Sequence, residues 1–79
     1  MTKRQIAESH LHSLLNATDE VSRLSQIAAV SFALGNTVRA LEVLEQARRP
    51  ADIAESWVRA SIRAIREAAL DEAEKELSP

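Results

Sequence analysis

Residues 24–47, LSQIAAVSFALGNTVRALEVLEQA, decide the fold, because a polar turn, Gly35-Asn36-Thr37, separates two apolar runs of helical period. Leu24, Ile27, Ala28, Ser31 and Leu34 form one stripe at helical spacing, and Ala40, Leu41, Leu44 and Ala47 form the next. Gly35 is the only glycine in the chain. A glycine just past the last periodic residue adopts the left-handed conformation that ends a helix, and Asn36 or Thr37 supplies a side-chain oxygen to cap the next one. The stretch predicts a helical hairpin, an element used more for recognition than for chemistry.

Working outward, Thr2 and Gln5 have the spacing of a capping box, which opens a first helix running to about Asn16. Its apolar face holds Ile6, Ala7, His10, Leu11, Leu14 and Leu15, with Lys3, Arg4, Glu8 and His12 nearer to water. Thr18 or Asp19 offers the cap of a second helix ending near Leu34, and a third runs from about Thr37 to Arg48. Pro50 then predicts a break, since the residue before a proline is pushed out of helical geometry. A fourth helix from Ala51 or Asp52 carries Ala54, Trp57, Ser61, Ile65 and Ala68 as one stripe, with Val58 and Ile62 beside it. Leu70, Ala73 and Leu77 fall out of phase with that stripe, so the helix either breaks near Glu67 to Leu70 or turns its last residues to a different surface. The expected fold is a single all-α domain over residues 1–79, with four helices, or five if the last one breaks, packed as antiparallel hairpins.

Seventy-nine residues with only two aromatics, Phe32 and Trp57, leave a thin core. A small domain without cysteine often gains stability by oligomerising or by docking on a partner. Ten basic and twelve acidic residues give a formal charge of −2, which disfavours nucleic acid and anionic membranes as general partners. Polar residues from Met1 to His10 interrupt any apolar run, so neither a signal peptide nor a transmembrane helix is expected. The absence of cysteine fits a reducing, cytoplasmic setting.

At an offset of 33 the chain echoes itself: Ala7, Ala40 and Ala73 align, followed by Leu11, Leu44 and Leu77, with Asp19 on Asp52 and Leu24 on Trp57. The pattern Leu24, Ile27, Ala28, then Ala33-Leu34-Gly35-Asn36, then Ala40, Leu41, Glu42, Leu44 and Ala47 resembles a tetratricopeptide repeat. Arg63 to Leu77 looks like a decayed second copy, and the first helix stands where a preceding unit would end. The pattern departs from that family at Ser31, where an aromatic is usual, and at the early Pro50. The resemblance implies a groove for peptides or partner proteins lined by Phe32, Val58, Ile62 and Ile65.

The same residues also fit the helix-turn-helix of a DNA-binding regulator over 27–47, the alternative function, with Val30, Ser31, Leu34, Gly35, Val38, Leu41 and Leu44 at the spacing that locks its two helices. Its second helix, however, offers Arg39 together with Glu42 and Glu45, which would face phosphate charge.

Candidates for chemistry are few. His10 and His12, the only histidines, point about 200° apart on a helix and cannot share a metal. The carboxylates stand at charge-pair spacing, as in Glu55 with Arg59, Arg63 with Glu67, and Asp71 with Lys75. No serine has a recognisable base partner, and one glycine makes no phosphate loop. No enzyme, cofactor, metal or small-molecule substrate is therefore expected. Trp57 has the character of a core centre or an interface anchor. The expected function is non-enzymatic association, as a small adaptor or inhibitor binding a protein partner or a second copy. Phe32, Val58, Ile62 and Ile65 form its apolar contact surface, and Arg59, Arg63 and Arg66 add charge around it.

Overall fold

A computed structural model describes residues 1–77 and arranges them as three helices, α1 (Lys3–Ala33), α2 (Thr37–Gln46) and α3 (Arg48–Leu77). The capping box forms: the Thr2 side-chain oxygen accepts from the Gln5 N–H at 3.1 Å, and Gln5 Oε1 accepts from the Thr2 N–H at 2.9 Å. From there α1 continues unbroken for 31 residues, so the two helices expected before Gly35 are one. No proline or glycine interrupts it. Thr18 caps nothing; its hydroxyl donates back to the carbonyls of Leu14 and Leu15 at 3.1 and 2.9 Å, which lets a threonine sit inside a helix.

The turn forms as its residues predict. Gly35 has φ +85°, and the Asn36 N–H reaches back to the Ser31 carbonyl at 2.9 Å. Asn36 Oδ1 then accepts from the Arg39 N–H at 3.1 Å and caps α2.

Pro50 does not break the chain. The interruption falls at Ala47, and Pro50 becomes the third residue of α3, within the first turn, where helical N–H groups have no partner inside the helix. The Ala51 N–H bonds to the Ala47 carbonyl across the join at 3.0 Å. Nor does α3 break between Glu67 and Leu70. The expectation of four or five packed helices with tetratricopeptide-like geometry is thereby overturned: α2 and α3 form one bent arm that runs back along α1. The result is a single hairpin measuring 66 × 16 × 15 Å, with no second hairpin after it among the described residues.

Contact between the arms follows a heptad. On α1 the residues withdrawn from solvent are Ala7, His10, Leu14, Ala17, Val21, Leu24, Ala28 and Ser31, alternating steps of three and four. On the second arm they are Ala40, Val43, Ala47, Pro50, Ala54, Trp57, Ser61, Ala64, Ala68 and Asp71, with the same alternation carried straight through Ala47. This is the seam of an antiparallel two-stranded coiled coil. Ser13, Ile27 and Ala60, each one step before a seam position, are also half-buried. Eight of these eighteen seam residues are alanine and two are serine, so the apolar core is small; its best-packed part joins Leu24 and Ala28 of α1 to Val43 and Ala47, with Ile27 against them. Val43, at 2% exposure, takes the place expected for Leu41 and Leu44, which lie outside.

Candidate functional site

The two long sides of the seam are unlike. On one side, near the turn, a groove of about 420 Å³ is lined by Ala28, Ala29 and Phe32 of α1 and by Ala40, Leu41 and Leu44 of α2. At the open end of the hairpin a second groove, about 210 Å³, lies between Ala7 and Leu11 of α1 and Ile65, Ala68 and Ala69 of α3. Every residue named in either groove stands on the seam or one step to the same side of it, so both grooves open on one side of the hairpin. Leu15 on α1 and Val58 and Ile62 on α3 occupy equivalent heptad positions between them. We refer to this as the open side.

Large side chains are left in water along it. Leu11, Leu15 and Phe32 are 38, 57 and 66% exposed, while Leu41, Leu44, Val58, Ile62 and Ile65 lie between 42 and 59%. Polar residues enter the strip at its middle, as Thr18, Ser22 and Ser25 on α1 and Arg48 and Glu55 on α3, and at the open end, where Arg4 bonds Glu72 across the helices at 3.1 Å.

The opposite side, the closed side, is more charged, and its groove of about 310 Å³ near the turn is lined by Arg23, Gln26, Ile27, Val30 and Ser31. Ser13, Ile27 and Ala60 cover the seam there, and Glu42, Arg49, Arg63 and Glu67 surround it. Glu20 and Arg23 pair at 2.7 Å, and the hydrogen bond from Arg23 holds the Glu20 carboxyl below its ordinary pKa while raising that of Arg23. Its exposed apolar residues include Val30, which borders the half-buried Ile27 in that groove, and Ile53 and Leu70 on α3.

Of the contact residues expected from sequence, Phe32, Val58, Ile62 and Ile65 all fall on the open side. Arg59, Arg63 and Arg66 line a shallow depression on the outer surface of α3 together with Ile62 and Leu70. Arg59 pairs with Glu55 at 2.7 Å and Asp71 with Lys75 at 3.3 Å, whereas Arg63 and Glu67 form no ion pair among the described residues. Leu11, Leu15, Leu41 and Leu44 belong to the same surface and were missing from that set; their heptad spacing with Val58, Ile62 and Ile65 is the signal that finds them.

His10 is half-buried against Trp57, ring centroids 5.2 Å apart, while His12 is exposed. Trp57 thus sits in the seam. His10 Nδ1 and Ser61 Oγ are buried there without hydrogen-bond partners. Among the described residues no three histidine, aspartate or glutamate side chains gather as metal ligands, and no helix is long and apolar enough to cross a membrane. Comparison with known protein families, with curated proteins and with solved structures finds no match to this chain.

Proposed function

We propose that this chain is a non-catalytic protein-association module whose working surface is the open side of the hairpin. One observation carries the reading: large apolar side chains, 38–66% exposed, cluster toward both ends of one side, Phe32, Leu41 and Leu44 near the turn and Leu11, Leu15, Val58, Ile62 and Ile65 toward the open end, while the other side is more charged. Clustered apolar surface of this kind marks protein contact, whereas scattered single residues do not. A helix-turn-helix draws less support. Its two helices meet at roughly 90–120°, whereas α2 lies along α1 through two layers, Leu24 with Ala28 against Val43 with Ala47. Glu42 and Glu45 of α2 also face outward, where they would oppose phosphate.

Single cysteines test the proposal, because the natural chain has none. In cells producing the chain, Ile62→Cys should react with a maleimide far more slowly than Ser56→Cys on the closed side. Equally fast labelling at both positions would show that nothing covers the open side.

A further inference from the structure

We infer that the open side is covered by a second copy of this chain, the two hairpins stacking face to face about a two-fold axis that crosses α3 at Ala51 and α1 at Ser22. The inference rests on the association reading above and names its partner. Three observations carry it: surface area, charge placement and the order of side chains along the strip.

A compact protein of this mass exposes about 4,700 Å², whereas this chain exposes 6206 Å². The excess, about 1,500 Å² per chain, falls within the range buried per subunit in obligate homodimers, where the two subunits together bury about 2,000–5,000 Å². A second hairpin of the same length supplies a surface of the required size.

Between Leu41 and Ala69 the strip on the second arm contains just two charges, Arg48 and Glu55, of opposite sign and seven residues apart. Their midpoint is Ala51–Asp52. A two-fold axis there sets Arg48 of one copy against Glu55 of the other, and the reverse, giving two reciprocal ion pairs. The same axis matches apolar residues: Leu41 meets Ile62 of the second copy and Leu44 meets Val58.

The position of the axis on α1 follows from the hairpin's own register. Leu24 and Ala28 against Val43 and Ala47 near the turn, and Arg4 on Glu72 at the open end, place Ala51 across from Val21 and Ser22. About Ser22 the α1 strip is also matched end to end, Leu11 with Phe32 of the second copy, Leu15 with Ala29, and Thr18 with Ser25. The product is an antiparallel four-helix bundle with the two turns at opposite ends. The other face-to-face stacking, with its axis parallel to the helices, puts the turns together and sets Arg48 against Ser25 and Glu55 against Thr18, so no ion pairs form.

Charge reversal tests the arrangement in the purified chain. Arg48→Glu and Glu55→Arg, each alone, place like charges together twice per dimer and should weaken dimerisation about tenfold. The double variant should restore the affinity of the natural chain. Spin labels on Leu34→Cys provide a measurement that needs no weakened variant: with the turns at opposite ends and Leu34 twelve residues from the axis at Ser22, the two labels lie about 36 Å apart at 1.5 Å per residue. A monomer at all concentrations, a dimer whose double variant is not rescued, or labels within about 20 Å would each overturn the inference. A monomeric purified chain whose Ile62→Cys is nevertheless protected in cells would overturn the second copy as occupant and leave the association reading standing.

Discussion

The open and closed sides of the hairpin are built on the same two helices and flank the same seam, yet they finish it differently. On the closed side Ser13, Ile27 and Ala60 lean over the seam and charged residues follow. On the open side the flanking residues are Leu11, Phe32, Leu44, Val58 and Ile65, which remain 38–66% exposed. The heptad explains how one sequence produces both. Alanine or serine at ten of the eighteen seam positions lets the helices approach but buries little, so much of the chain's apolar area falls one step off the seam, where a single partner helix does not reach it. Two helices suffice to define this hairpin's shape but leave its large open-side residues 38–66% exposed.

The largest expected effect comes from the seam the two sides share. Leu24→Ala should cost about 2–5 kcal/mol in chemical denaturation, because Leu24 is 6% exposed within the best-packed cluster. A cost below 1 kcal/mol would mean that the seam is not the core. Next comes the contrast between sides. Ile62→Glu should weaken association about thirtyfold or more, the effect of losing an interface hot spot, and lower helicity at dilute concentration, since a hairpin stabilised by assembly unfolds as it dissociates. Ser56→Glu on the closed side should change stability by less than about 0.5 kcal/mol. Equal effects from the two variants, read by sedimentation and circular dichroism, would erase the distinction between the sides.

Much of the hairpin was legible in the sequence. The capping box, the Gly35 turn and the Asn36 cap are local devices, each set by a few neighbouring residues. What misled was punctuation without a breaker: Asn16-Ala17-Thr18-Asp19 reads as a turn with a cap, but its residues remain helical because the heptad runs through them and Thr18 satisfies its hydroxyl within the helix. Pro50 misled in the opposite way, since a proline one turn into a helix costs no hydrogen bond. The open side was half legible. Phe32, Val58, Ile62 and Ile65, which the tetratricopeptide resemblance implied as groove residues, all lie on it, but Leu41 and Leu44 were assigned to the core because they are the larger residues. Alanines and Val43 hold the seam instead, and only a heptad traced along both arms separates the two sets.

Smaller effects sharpen the picture at the ends and on the closed side. Gly35→Ala should cost about 1–2 kcal/mol for its left-handed backbone, with no steric contribution, since no atom lies within 4 Å of an added Cβ. The cost should be the same in Ile62→Glu as in the natural chain, because the turn lies outside the open side's contacts; a thermal-melt cycle with both variants checks this. The smallest effect belongs to Glu20 and Arg23. The folded-state pKa of Glu20 is lowered, so the pair's contribution is present above the carboxyl's unfolded pKa and lost as pH falls through the folded one. Glu20→Gln should flatten the acid limb of the stability profile slightly and leave the neutral and alkaline limbs unchanged, as followed by thermal melts across pH.

Sedimentation equilibrium of the purified natural chain over a thousandfold concentration range, with helicity recorded on the same samples, tests the central claim most directly. The account predicts a mass twice the chain's 8.7 kDa wherever the helices are fully formed, with mass and helicity falling together on dilution. A fully helical species of 8.7 kDa at every concentration would contradict it.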